Sequence, residues 1–113
     1  MRYYIAVDFD GTLCDNAFPE IGAARLDVIQ SLCVRCEQLK QEGHEPVIIL
    51  WTCREDMPER AYLTEAVEWC KTAHIEIDYI NENPEYNMGY PEKVRKIYAD
   101  EYWDDKAICM TST

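Results

Sequence analysis

Asp8-Phe9-Asp10-Gly11-Thr12 sets two carboxylates one residue apart, directly after the apolar run at residues 3–7. On a strand, residues i and i+2 point to the same side, and the glycine that follows lets the backbone turn out of the sheet. Both acids are therefore expected at the carboxyl edge of a strand, where open α/β sheets bind ligands. Two negative charges this close repel unless a cation or a proton separates them. The pattern suits metal-dependent phosphoryl transfer. With its charge shielded, Asp8 attacks phosphorus and splits the transfer into two easier steps. Asp10 then serves as the acid for the leaving oxygen and later as the base for water.

Such a reaction needs donors for the phosphoryl oxygens. Thr52, the backbone N–H groups around Phe9 and Gly11, and a lysine at position 93 or 96 are the candidates. Arg54 is a further one, because guanidinium binds phosphate through two parallel hydrogen bonds; an ion pair with Glu55 or Glu59 is the competing use of its charge. A second acidic cluster, Asp104-Asp105, follows near the end of the chain. Carboxylates without a clustered histidine form a hard oxygen site, which suits Mg2+. His44 and His74 fall outside these clusters, which points away from zinc.

The elements that would position these residues alternate between strand and helix. Residues 3–9 read as a buried first strand. Residues 21–41 read as one amphipathic helix, with Ala24, Val28, Leu32, Cys36 and Leu39 on its apolar stripe and Gly43 as its stop. The apolar run 47–51 is a strand covered on both faces. Pro58 suits the first turn of a second helix running to about residue 74. Residues 75–80 form a third strand, 85–90 a loop, 91–98 a short helix, 100–103 a fourth strand and 107–110 a short edge strand. This alternation predicts an α/β fold, a three-layer, Rossmann-like, mainly parallel sheet with helices on both faces. The polar clusters Asp8/Asp10, Thr52/Arg54, Asn81/Asn83 and Asp104/Asp105 each follow a predicted strand, so a parallel sheet would gather all four along one edge. Asn81 and Asn83 either hydrogen-bond a loop or face the site, and the three tryptophans read as core.

Size and charge narrow the partners. The 113 residues form a single domain spanning 1–113, with no internal repeat or linker. With 22 acidic and 11 basic residues the formal net charge is −11, which disfavours nucleic acid and anionic membranes as partners. No apolar stretch reaches the roughly 18 residues needed to span a bilayer. The N-terminal residues lack the apolar run of a secretory signal, so a cytoplasmic location is expected. The six cysteines, at 14, 33, 36, 53, 70 and 109, then read as reduced thiols. Cys33 and Cys36 have metal-clamp spacing, but a four-thiolate zinc site needs a second such pair, which the sequence lacks.

The motifs together resemble the haloacid dehalogenase (HAD) superfamily of phosphohydrolases over most of the chain. Asp8-Phe9-Asp10-Gly11-Thr12 is similar to its first motif, Thr52 to the phosphate-binding residue of the second, and Asp104-Asp105 to the acidic fourth. The resemblance implies Asp8 as nucleophile, Asp10 as acid/base, and a Mg2+ site of Asp8, the Asp10 main-chain carbonyl and Asp104, with Asp105 as a ligand or a support. For the third-motif lysine it favours Lys96 over Lys93, since residues 95–100 resemble small HAD hydrolase-like proteins. About forty residues separate the first two motifs, too few for a cap domain. The expectation is a phosphatase of small phosphorylated substrates with an open site, unless a partner copy in a homo-oligomer closes it. The alternatives are a non-catalytic or regulatory phosphate- and metal-binding module of the same fold, and a receiver-type signalling domain. The latter places its phosphorylated Asp after a later strand.

Overall fold

The computed structural model describes residues 1–86, 97–104 and 108–110. Its frame is a sheet in the order β5-β4-β1-β6-β7. β1 (Arg2–Asp8) runs parallel to β4 (Glu45–Trp51) over seven paired residues, from Arg2 opposite Glu45 to Asp8 opposite Trp51. On its other side β1 is parallel to β6 (Glu101–Trp103), and β5 (Tyr79–Ile80) is parallel to β4. β7 (Ile108–Met110) pairs antiparallel with β6.

Side chains alternate across the sheet with period two. Ile5, Val7, Ile48, Leu50 and Trp103 face one way and pack against Leu32 and Leu39 of α1 (Leu26–Gln41) and Ala66 and Cys70 of α2 (Tyr62–Thr72). Tyr4, Ala6, Val47 and Ile49 face the other way, against Ile97 and Ala99. A strand buried on both faces needs the continuous apolar run that β1 and β4 carry. Among the described residues both helices lie on the same face. The helix expected over 91–98 falls mostly outside them, and residues 97 and 98 are coil.

Three boundaries differ from the sequence reading by more than two residues. The helix expected from residue 21 starts at Leu26, because residues 20–24 form β3 (Glu20–Ala24) in a hairpin with β2 (Cys14–Ala17). Gly22 permits this pairing: a Cβ there would sit 2.2 Å from the Asp15 carbonyl oxygen. The second helix starts at Tyr62 and not at Pro58. Residues 57–60 close a turn between Met57 and Arg60, and the Asp56 carboxylate accepts the Thr64 N–H at 2.8 Å in the helix's first turn. The strand expected over 75–80 shortens to Tyr79–Ile80, since the Asp78 carboxylate takes the Ile48 N–H at 2.8 Å in place of a ladder carbonyl.

Both helices end in the same two-bond closure. Gly43, at φ 87°, donates to Lys40 and is followed by a bond from His44 to Leu39. His74, at φ 61°, donates to Lys71 and is followed by a bond from Ile75 to Cys70. This pattern satisfies the last carbonyls of each helix.

Candidate functional site

The site lies where β1, β4 and β6 end. From β1 the chain goes first to β4 on one side and later to β6 on the other, and the crevice at such a reversal is where open α/β sheets take ligands. Asp8 is the last residue of β1 and stands opposite Trp51, so Thr52 follows directly on the neighbouring strand. Val7 stands opposite Trp103, so Asp104 comes next in register beside Asp8. Ile80 stands opposite Leu50 and brings Asn81 to the same edge.

The turn after β1 is built from main-chain bonds. The Phe9 carbonyl accepts from Thr12 at 3.2 Å and from Leu13 at 3.0 Å. Gly11, at φ 87°, donates to the Cys14 carbonyl at 2.8 Å, a conformation that strains any residue with a Cβ. Phe9 is fully buried, its ring edge-on to Trp69. The Phe9 N–H bonds to the Asp8 carboxylate at 2.8 Å. In this structure the Phe9 N–H is thus engaged by Asp8 and the Gly11 N–H by Cys14.

Arg54 is turned toward Asp10. It is 3% exposed, and its guanidinium holds both Asp10 carboxylate oxygens, Nε at 2.9 Å and Nη2 at 2.8 Å. Nη2 also donates to the Glu20 carbonyl at 3.0 Å, and Nη1 donates to the carbonyls of Pro19 at 3.4 Å and Tyr62 at 3.5 Å. A guanidinium has five N–H groups, and these five bonds use all of them. Arg54 thus has nothing left for a phosphate, and neither Glu55 nor Glu59 is its partner. It fixes Asp10, the hairpin and the start of α2 to one another. Each Asp10 oxygen keeps a second lone-pair direction.

Thr52 is buried, and its Oγ1 accepts the Arg54 N–H at 3.1 Å. The hydroxyl proton has no acceptor among the described residues, so Thr52 can donate to an anion at the strand edge. Asn81 grips Thr52 from the next strand, accepting its N–H at 2.8 Å and donating to its carbonyl at 2.9 Å. The left-handed Asn81 backbone, at φ 55°, supports this double contact. Asn83 is likewise taken up locally, donating to the Tyr98 carbonyl at 2.9 Å and accepting from Glu85 at 3.2 Å.

Lys93, Lys96 and Asp105 lie outside the described residues. Among the described residues no three His, Cys, Asp or Glu side chains form a metal group. Mg2+ takes only one or two carboxylates, with water and phosphate oxygens completing its shell. The Asp8 and Asp104 carboxylates and the Asp10 carbonyl are the groups that could supply oxygens to such a shell. Burial, followed by the Asp10 charge, pushes the Cys14 thiol up, and burial pushes Cys70 up to about 12; neither is an activated thiolate.

Two charged residues of this region leave no trace in sequence periodicity. Arg25 donates to the Gly11 carbonyl at 2.8 Å and to Asp15 at 3.2 Å, bracing the acidic turn from the far end of the hairpin. Glu101, 1% exposed and three residues before Asp104, accepts from Arg35 at 2.7 Å, Tyr3 at 2.8 Å and the Trp103 indole at 3.0 Å.

A conserved protein coded by a locus from Bacteroides thetaiotaomicron, whose structure is solved, superposes on this chain with a TM-score of 0.66. The two are 36% identical, and the match covers 91% of this chain and 75% of that one. The chain belongs to the family of that protein. No protein-family model and no curated protein matches the sequence. With this family the chain shares a mixed α/β fold built on a mainly parallel sheet. No helix among the described residues is long and apolar enough to cross a membrane.

Proposed function

We propose that the protein is a Mg2+-dependent phosphohydrolase of the HAD type, with a three-layer Rossmann-like domain and no cap, acting on small phosphomonoesters. The observation that carries this reading is the register of three parallel strands, which sets Asp8, Thr52 and Asp104 side by side at the reversal of strand order. Asp8 and Asp104, with the Asp10 main-chain carbonyl, would hold Mg2+, which when bound neutralises charge between the carboxylates and the phosphate. The Asp8 carboxylate attacks phosphorus, and the bond from phosphorus to the ester oxygen breaks. Asp10 gives its proton to that oxygen, and the alcohol leaves. Asp10 then takes a proton from water, which attacks phosphorus and frees Asp8 and inorganic phosphate. Thr52 donates to a phosphoryl oxygen in both steps, and Lys96, or Lys93 as runner-up, is the cation proposed beside it.

The lock between Arg54 and Asp10 favours a second reading, a phosphate- and metal-binding module that hydrolyses nothing, because a proton on Asp10 competes with two hydrogen bonds from a buried guanidinium. Phosphate release from p-nitrophenyl phosphate with Mg2+ separates the two. The phosphatase loses at least about a thousandfold on Asp8→Asn, whereas the binding module shows the same background in both proteins.

A further inference from the structure

Cys33 and Cys36 lie three positions apart in the middle of α1, outside the site at the strand ends. Both line a cavity of about 410 Å3 between α1, β4 and the segment that follows α2. Cys33 is exposed and Cys36 half-buried, so solutes reach the pair. Residues three apart on a helix have Cβ atoms about 5–6 Å apart, whereas a disulfide needs about 3.5–4.5 Å. The two thiols therefore do not close on each other without distorting α1. A bridging atom fits the gap instead, since two metal–thiolate bonds of about 2.3 Å set end to end span about 4.6 Å. Among the described residues no three His, Cys, Asp or Glu side chains form a metal group; tetrahedral zinc needs four ligands, whereas a linear monovalent ion is complete with two sulfurs. Among the described residues lining the cavity, the carboxylates of Glu37, Glu45, Glu76 and Asp78 outnumber Lys40, an excess of negative charge that favours a cation. Burial, followed by the neighbouring Cys33, pushes the Cys36 thiol up, so its proton leaves when a metal takes the sulfur.

We propose that Cys33 and Cys36 form a two-thiolate site for Cu(I), the soft monovalent ion that thiolates select. Two Cu–S bonds form as the two S–H protons pass to water, and neither copper nor sulfur changes oxidation state. Competition against bathocuproine disulfonate, with ascorbate under argon, tests this on the full chain. Wild type should withdraw one equivalent of Cu(I), and X-ray absorption at the copper edge should show two sulfur neighbours. Cys33→Ser and Cys36→Ser should each weaken binding by more than about a hundredfold, since losing a group that merely orients a ligand already costs about ten- to a hundredfold. The exposed Cys33 makes no core contact, so its variant keeps the fold, which far-ultraviolet circular dichroism checks. Cys53→Ser, which removes an exposed thiol outside the cavity, should leave binding unchanged. No copper withdrawn by wild type, copper held equally by a chain carrying both Cys33→Ser and Cys36→Ser, or Zn2+ retained against an equal amount of Cu(I) overturns the site.

Discussion

At the scale of single residues, the buried ion pair of Arg54 and Asp10 is the most demanding contact near the site. Removing one partner of such a pair leaves the other charge and its carbonyl neighbours uncompensated. Arg54→Ala should lower unfolding free energy by roughly 3–5 kcal/mol in urea titrations. Arg54→Lys should recover only part of that loss, because an ammonium cannot span both Asp10 oxygens and three carbonyls. A variant as stable as wild type would mean that the pair contributes nothing. The same crowding occupies the guanidinium that the sequence offers to a phosphate. Its residue type suits phosphate, but its partner lies 44 positions away along the chain, and nothing in local spacing points there.

At the scale of elements, two devices join helix to sheet. Glu101 links β6 to α1 through Arg35 and to β1 through Tyr3. Burial acts to raise the Glu101 carboxyl, but the bonds from Arg35, Trp103 and Tyr3 outweigh it and hold the group below its ordinary 4.5. A carboxyl depressed in the folded state contributes stability that is complete above its unfolded value and is lost as pH falls below it. Wild-type urea midpoints should therefore drop on acidification below pH 4.5 more steeply than those of Glu101→Gln, which at pH 7 should itself cost about 1–3 kcal/mol. Parallel acid limbs would exclude this role. The hairpin depends on Gly22, where a methyl group has no room against Asp15. Gly22→Ala should cost about 1–3 kcal/mol in thermal or urea unfolding. Sequence periodicity missed this element because Ile21 and Ala24 also fit a helical stripe. Cross-strand pairing with Cys14 and Asn16 decides the outcome, and that is a tertiary fact.

At the scale of the whole molecule, the core is one sheet with side chains packed on both faces. Leu50 is fully buried in the central pair of strands, between the helices and the edge that carries Thr52. Leu50→Ala should cost about 2–5 kcal/mol, read as a lower urea midpoint with an unchanged slope. A metal that binds only the folded chain raises its stability by mass action. Mg2+ at a hundred times its dissociation constant should add about 2.7 kcal/mol, seen as a rise in melting temperature that Asp8→Asn abolishes. An unchanged melting temperature at saturating Mg2+ would remove the metal from the account.

The sequence by itself determined the order of elements and the edge at which they end. Alternating strand and helix patterns imply parallel pairing, and parallel strands must bring their carboxyl ends together, so Asp8, Thr52, Asn81 and Asp104 were legible as neighbours. Tertiary structure alone decided which of their partners are already taken. Arg54 faces inward to Asp10, the amides of Phe9 and Gly11 close the turn, and Glu101 sits charged inside the core. Periodicity reports which face of an element is apolar, whereas the pairing of two buried polar groups depends on where distant segments meet in space.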